Sequence, residues 1–447
     1  MICRFFIFIY LSFYTPKISI RLIMKEEFLH YIWLHKKINV TQLYTTKGEK
    51  LEILHFGHYL QSAGPDFFNA QLIIDYQKWA GNIEIHLKSS DWYVHHHEKD
   101  ANYDNVILHV VWEHDIEVYR KDNSEIPVLE LKQYVASKDI VNYTQLTNPK
   151  SWINCENQIS FVDEFTISNW IERLFFERLE KKANELEKLL QKNSFDWEAT
   201  FFQLLAKSFG LNTNGEAFLK MAESIPYSII KKERYEVESL EALFFGATGL
   251  LEGENEDIYF NDLKKRWNYL KHKYELKIDY YQSVQFFKHR PDNFPTIRLA
   301  QLAQLIVKQH QLFQNLVNVH SINQIYLFFN CNVSEYWQSN YVFDKPHAIK
   351  NKRVTKNFID LLILNCILPI KFAFGHVHGN IIPELLVGLA SEIISEKNTI
   401  IDKFNGIGLV SSNSYQSQAL LQLKKEYCNT NKCLNCAIGQ KLINFTT

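Results

Sequence analysis

The stretch WAGNIEIHLK, Trp79–Lys88, decides how the first third of this chain folds. Extended backbone sends alternate side chains to opposite faces. One face then carries Ile83, Ile85 and Leu87, suited to a core, and the other carries Asn82, Glu84, His86 and Lys88 in one polar row. Just upstream, AGPDFFN (Ala63–Asn69) places Asp66 in a Gly-Pro turn one strand earlier, from which it can meet Glu84 across the strand pair. Two carboxylates converging on one point repel each other unless a cation lies between them, and oxygen donors of this kind suit Mg²⁺ or Mn²⁺. A cation so held polarises a phosphoryl oxygen and generates hydroxide from water, while a nearby lysine stabilises developing charge. The competing reading is a solvated strand face with a Glu84–Lys88 salt bridge. The preceding Gly-Pro-Asp turn favours the site.

Working outward, the two-residue period predicts strands at Leu51–Phe56, Ala70–Tyr76, Gly81–Lys88, Asn105–Glu113, Ile116–Tyr119 and Val128–Leu131. A helix over 24–38, with Phe28, Ile32 and Trp33 on one face, opens this block. Beyond Asp163 the period changes to helical. Ser168–Lys192 carries a broad apolar stripe, Asp196 can cap Trp197–Phe209, and further helices are expected at 239–252, 295–316, 355–366, 381–395 and 414–426. With 447 residues, the chain exceeds what one core usually organises. The expected class is α/β in the α+β sense: a β-rich domain over 24–160, then a mostly α-helical domain over 161–447 ending in a cysteine cluster.

Residues 1–23 stand apart as an upstream extension or a non-native start. Phe5–Tyr14 is apolar but too short to span a bilayer, and no small-residue cleavage site follows it. A signal peptide is the alternative to a start at Met24, where acids in the first turn suit a helix N-terminus. With no other segment reading as transmembrane, the expected location is the cytoplasm. Hydrophobic content of 46% and charged content of 22% describe a globular chain, and a formal net charge of -1 excludes a global basic field for nucleic acid. Phosphate contacts would need local patches. Lys264–Lys273, His289-Arg290, Arg298 and Lys345–Lys356 are the candidates, with solvated helix faces as the plainer reading of the first.

A Pro-Asp turn, a strand, then a hydrophobic strand carrying Glu and Lys resembles the PD-(D/E)xK restriction-endonuclease-like superfamily. The resemblance implies a restriction-endonuclease-like fold, metal-binding roles for Asp66 and Glu84, a water-activating or charge-stabilising role for Lys88, and an assisting Glu27 on the opening helix. One departure stands out: His86 occupies the usual lysine position and Lys88 lies one repeat further on. His86 then replaces the lysine as base or ligand, or the site binds without cleaving. From Met24 onward the segments GPDFFNAQ, WAGNIEIHLKSSDWY, NVILHVV, RPDNFPTIRLAQLA and CLNCAIG resemble DUF2851, a bacterial family of unknown function, which implies no activity.

After the acidic strand comes SSDWYVHHHEKD, Ser89–Asp100, and then His109 on a strand. His95 and His97, with His109 or Asp100, have the chemistry of a transition-metal site; the alternatives are a phosphate groove or an exposed polar loop beside a core histidine. Near the C-terminus Cys428, Cys433 and Cys436 form a Cys-x4-Cys-x2-Cys run, and Cys155 is the natural fourth ligand. Four thiolates suit Zn²⁺ or an iron–sulfur cluster in a closed, structural site. The function expected first is therefore a metal-dependent nuclease, with possible partners among nucleic acids. The alternatives are an inactive nucleic-acid-binding protein and a zinc-dependent hydrolase of small substrates using His95, His97 and His109.

Overall fold

The structure, a computed structural model, describes residues 24–59, 64–147, 151–278, 284–287 and 289–445. The expectations for 1–23 and for Ala63 fall outside them. The chain divides into two units, one comprising residues up to Val162 together with Tyr427 onward, the other Asp163–Glu426. The cysteine run therefore belongs to the β-rich unit and not, as the sequence suggested, to the helical one.

Helix α1 (Glu26–Leu34) opens the first unit with two acids in its first turn, where the helix dipole favours them. Its Phe28, Leu29, Ile32 and Trp33 enter a core shared with Ile83, Ile85, Leu108 and Val110. The strands are β1 (Leu43–Tyr44), β2 (Lys50–His55), β3 (His58–Tyr59), β4 (Phe67–Ile74), β5 (Gln77–Lys88), β6 (Val106–Glu113) and β7 (Val128–Glu130). They form one sheet in the order β1-β2-β4-β5-β6-β7, with β3 against β4. Pairing is antiparallel up to β5 and parallel for β5–β6 and β6–β7.

A parallel pair needs a crossover of a dozen or more residues. Here it is the histidine-rich segment: helix α2 (Asp91–Val94) and two 3₁₀ turns, His97–Lys99 and Ala101–Tyr103. Trp92 and Tyr103 join Val106, Val111 and Val128 in a second, smaller core. The strand expected at Ile116–Tyr119 does not form. Side chains from the crossover hold that backbone instead: Ser89 Oγ accepts from the Ile116 N–H at 3.0 Å, and Trp92 Nε1 donates to the Tyr119 carbonyl at 3.1 Å.

Helix α3 (Ser137–Thr147), which the alternation gave no sign of, follows the sheet. The C-terminal segment packs back on this unit, with Leu434 and Ile443 completing the first core. The turn Cys433–Asn435 and the helix Ala437–Ile443 meet so closely that a Cβ on Gly439 would lie 2.0 Å from the Cys433 carbonyl oxygen.

The second unit is helical, opened by α4 (Glu164–Lys192) with Asp163 capping the Thr166 N–H. The helix expected at 295–316 is two, Pro295–Lys308 and Leu312–Asn318, and the one expected at 355–366 continues to His378. That long helix, Lys356–His378, is apolar enough to cross a membrane by length and composition, but most of its apolar window is buried inside the protein. It even carries a buried lysine. Lys371 Nζ donates to the carbonyls of Leu316, Val317 and Val319 at 3.2, 2.7 and 2.8 Å, satisfying groups at a helix C-terminus.

Substituting Gly439 by Ala forces a methyl group against backbone, a contact no side-chain rotation relieves. The expected result of Gly439→Ala is a loss of about 1–3 kcal/mol in chemical denaturation. An unchanged midpoint would show that the cysteine turn is not held this tightly.

Candidate metal centre

The middle of the polar row of β5 is buried, while Asn82 is half-buried and Lys88 exposed. Glu84 is 5% exposed, His86 1% and the adjacent His109 0%, because the crossover lies over that face. A bulge puts Asp66 in reach. Phe67 pairs with Ile83 but Ala70 pairs with Gly81, so two residues of β4 stand opposite Asn82. Asn69 adopts a left-handed φ of 56° there and its N–H meets Asn82 Oδ1 at 3.3 Å. Because β4 begins at Phe67, no strand among the described residues pairs with the β5 backbone beyond Ile83 on that side. Asp66 takes the partner's place: its Oδ2 accepts from the Ile85 N–H at 3.0 Å, and its own N–H donates to Glu84 Oε2 at 3.2 Å.

A helical pair that the sequence reading missed completes this side. His30 Nε2 lies 3.2 Å from Asp66 Oδ2 and 3.5 Å from Glu26 Oε1. The signal was available, since Glu26 and His30 are four apart and share one face of α1. The residue expected from α1 was Glu27, which is exposed. A one-residue step on a helix turns the side chain about 100° away.

On the other flank stand the histidines. His97 Nε2 and His86 Nε2 lie 3.3 and 3.5 Å from Glu84 Oε1. His86 Nε2 also meets His95 Nδ1 at 3.0 Å, and His86 Nδ1 meets His109 Nε2 at 2.8 Å. Between His95 and His97, His96 takes a left-handed φ of 60°, in a turn that brings both neighbours to Glu84's flank. Two groups of potential ligands thus have donor atoms within 4.8 Å of one another: Glu26, His30 and Asp66, and His86, His95 and His97. His109 does not join the second set but buttresses His86 from behind.

Lys88 is not brought in. Four residues beyond Glu84 it is roughly 13 Å along the strand, half exposed, with its ammonium 3.9 Å from Asp115. The expected Lys88 role is thus displaced by the strand's own length.

The electrostatics follow from burial. Desolvation, then the charge of Asp66, pushes the Glu84 carboxyl up to about 9. Desolvation raises Glu26 to about 7, opposed by His30. Burial and then the neighbouring histidines drive His86 down to about 2 and His109 to about 3, so both imidazoles are neutral.

The cysteines lie elsewhere in this unit. Burial and then Cys436 and Cys433 push the Cys155 thiol up to about 12, and Asn154 Nδ2 donates to Cys433 Sγ at 3.2 Å. Cys428 adjoins the same turn, its carbonyl accepting from the Asn431 N–H at 3.3 Å.

The basic runs of the helical unit are largely committed internally. Arg298 is 5% exposed, stacks 3.5 Å over the Phe358 ring and donates to Gln301 and Asn293. Lys352 Nζ is buried on the carbonyls of Trp337 and Asn340, both at 2.6 Å. Lys350 pairs with Asp292, Arg266 with Asp262 and Glu236, and Lys273 with Glu233. These cations of the expected patches are therefore held within the protein.

The model of a family described as a protein of unknown function, DUF2851, matches residues 26–399. The chain belongs to the DUF2851 family. No curated protein and no solved structure matches it. The DUF2851 span contains Glu26, His30, Asp66, Glu84 and the histidines, while Cys428, Cys433 and Cys436 lie past it.

These shifts give this DUF2851 protein a pH signature. Glu84 sits above its ordinary 4.5, so the stability its protonated form contributes is full below that value and is lost as pH rises through about 9. His86 and His109 sit below 6.5, so their contribution is full above 6.5 and is lost on acidification. Between pH 7 and 9 the carboxyl term governs. In chelator the thermal midpoint is expected to fall across that window, and Glu84→Gln or a saturating divalent cation flattens the fall. A slope unaltered by Glu84→Gln would contradict the assignment.

Proposed function

We propose that this protein is a metal-dependent hydrolase of phosphodiesters, with Asp66 and Glu84 as the central carboxylates. The observation that carries the reading is the convergence of these two groups through the β4 bulge, beside Glu26, His30 and the histidine flank. The order of elements supports it: Asp66 in a turn, one strand, then the strand that carries Glu84, the arrangement on which the PD-(D/E)xK resemblance rests.

Glu26, Asp66 and Glu84 would hold a divalent cation such as Mg²⁺ or Mn²⁺, and His30 would orient the Asp66 carboxylate. The bound cation supplies polarisation of the phosphoryl oxygen. The His30 imidazole, 3.2 Å from Asp66, can accept the proton of the attacking water as its oxygen bonds to phosphorus, and the ester P–O bond breaks, its oxygen taking up a proton to leave as an alcohol. With Lys88 at the surface, His86 stands where the superfamily places its lysine, and His30 is the ring nearest Asp66. Nothing in this chemistry requires the basic runs of the helical unit.

We further assign Cys155, Cys428, Cys433 and Cys436 to a structural Zn²⁺ or iron–sulfur site that ties the C-terminal segment to the β-rich unit. Supporting this are the bond from Asn154, the neighbour of Cys155, to Cys433 Sγ at 3.2 Å and the tight turn at Gly439.

The test is cleavage of single- and double-stranded DNA and RNA with Mg²⁺ or Mn²⁺. Asp66→Asn and Glu84→Gln are expected to lower the rate at least about a hundredfold while leaving the fold intact by circular dichroism. Lys88→Ala is expected to cost less than about tenfold. Binding without cleavage of any of these would replace the hydrolase reading by a binding one, and an equal loss in Lys88→Ala would return the lysine to the site. For the cysteines, protein purified without air is expected to carry zinc, or iron with sulfide, that Cys433→Ser loses. Metal-free protein of full stability would falsify the staple.

A further inference from the structure

The histidine flank has an arrangement that goes beyond what the hydrolase reading takes from it. A first-row metal bound tetrahedrally at 2.0–2.1 Å places its ligand atoms about 3.3–3.4 Å apart. His86 Nε2 and His95 Nδ1 are 3.0 Å apart, His86 Nε2 and Glu84 Oε1 3.5 Å, and His97 Nε2 and Glu84 Oε1 3.3 Å. Three edges of such a tetrahedron are therefore already in place. The His97 side chain is only 10% exposed, yet its Nε2 makes no hydrogen bond. A buried polar atom aimed at a carboxylate without bonding to it is an orphan that a shared cation would satisfy.

The proton inventory points the same way. An uncharged imidazole has one N–H, and His86 meets two flanking imidazoles and a carboxylate. With that proton on Nδ1, facing His109 Nε2 at 2.8 Å, the Nε2 lone pair faces His95 and Glu84. That is the habit of a metal-bound histidine, whose far N–H is fixed by a second partner. Tyr103, stacked 3.8 Å from the His97 ring, and Trp92, 5.3 Å from it, fix the third ligand.

We infer that His86, His95, His97 and Glu84 Oε1 form a second metal site, for zinc or a similar borderline first-row cation, that shares Glu84 with the acidic site. Three imidazoles select such a cation, whereas the Glu26, His30 and Asp66 set, with two carboxylates, favours Mg²⁺ or Mn²⁺. Glu84 is the joint between them: Oε1 faces the histidines and Oε2 accepts from the Asp66 N–H. The centre then holds two unlike cations. The inference rests on the hydrolase reading only for the purpose of the second cation. The histidine site itself stands on its own geometry.

The experiment is a Co²⁺ titration of the full chain, stripped of metal, followed by absorbance. Co²⁺ on thiolates gives intense charge-transfer bands, whereas Co²⁺ on imidazole and carboxylate gives ligand-field bands alone, so the two assigned sites report separately. Wild type is expected to show one Co²⁺ of the imidazole type, displaced by Zn²⁺. His95→Ala, at an exposed rim position, is expected to weaken that binding at least about tenfold with the circular dichroism unchanged. His97→Gln is the second variant, and Asp66→Asn is expected to keep the histidine-site Co²⁺.

If only thiolate-type Co²⁺ appears, or if His95→Ala and His97→Gln bind as wild type does, the histidine site is overturned, and Mn²⁺-dependent cleavage lost in Asp66→Asn would still uphold the hydrolase reading. If imidazole-type Co²⁺ is lost in the histidine variants while no phosphodiester is cleaved, the site stands and the hydrolase reading falls.

Discussion

The structure of the β-rich unit turns on one carboxylate placed where water does not reach. Glu84 is on a central strand, 5% exposed, and an ionised group there is costly unless something offsets the lost hydration. Its surroundings, the Asp66 N–H on one oxygen and two imidazole nitrogens near the other, offset only part of that, and the carboxyl holds its proton up to about 9. Those partners in turn dictate backbone. Asp66 arrives only because β4 carries a bulge at Asn69, and His95 and His97 flank a left-handed His96. Backbone in such sparsely populated conformations persists where the surroundings over-determine it, which is common at functional sites.

How much of this was legible beforehand depends on the range of the interaction. The alternation in β5 is local, so the core face of Ile83 and Ile85 and the polar face of Glu84 and His86 could be read directly. The helices of the second unit were legible for the same reason, though not where they break or continue. The bulge was not legible, because Phe67 and Asn69 look like any strand residues until the register is known. Lys88 misled through the same alternation: it shares the face of Glu84, but face alone says nothing of distance along the strand. Glu26 and not Glu27 lies with His30 and Asp66, because the choice between them depends on which side of α1 meets Asp66. Ile116–Tyr119 has strand composition, but the bonds from Ser89 and Trp92 won its backbone.

In the helical unit, charge was misleading for a different reason. Lys352, Lys371 and Arg298 look like surface cations in the sequence, yet each is a core residue whose head group meets carbonyls, amides or an aromatic face. Glu241 is their acidic counterpart, fully buried and accepting from Tyr259, Ser334 and Trp337 at 2.7, 2.8 and 2.8 Å. Buried hydrogen-bonded groups of this kind rigidify a core and bind it to one arrangement. They also remove charge from the surface without changing the net charge, so composition alone overstates what the unit offers a polyanion.

The return of the C-terminal segment to the β-rich unit has a consequence for biosynthesis. Domains generally fold as units while the chain is being made, N-terminal first. Here the sheet, the crossover and α1 are translated early, but Leu434 and Ile443 of their shared core arrive only after the entire helical unit has been made. The unit begun first is therefore completed last. During that interval its unfinished core would be exposed to the ribosome surface and to holdase chaperones, and a chain truncated within the helical unit would leave it permanently open.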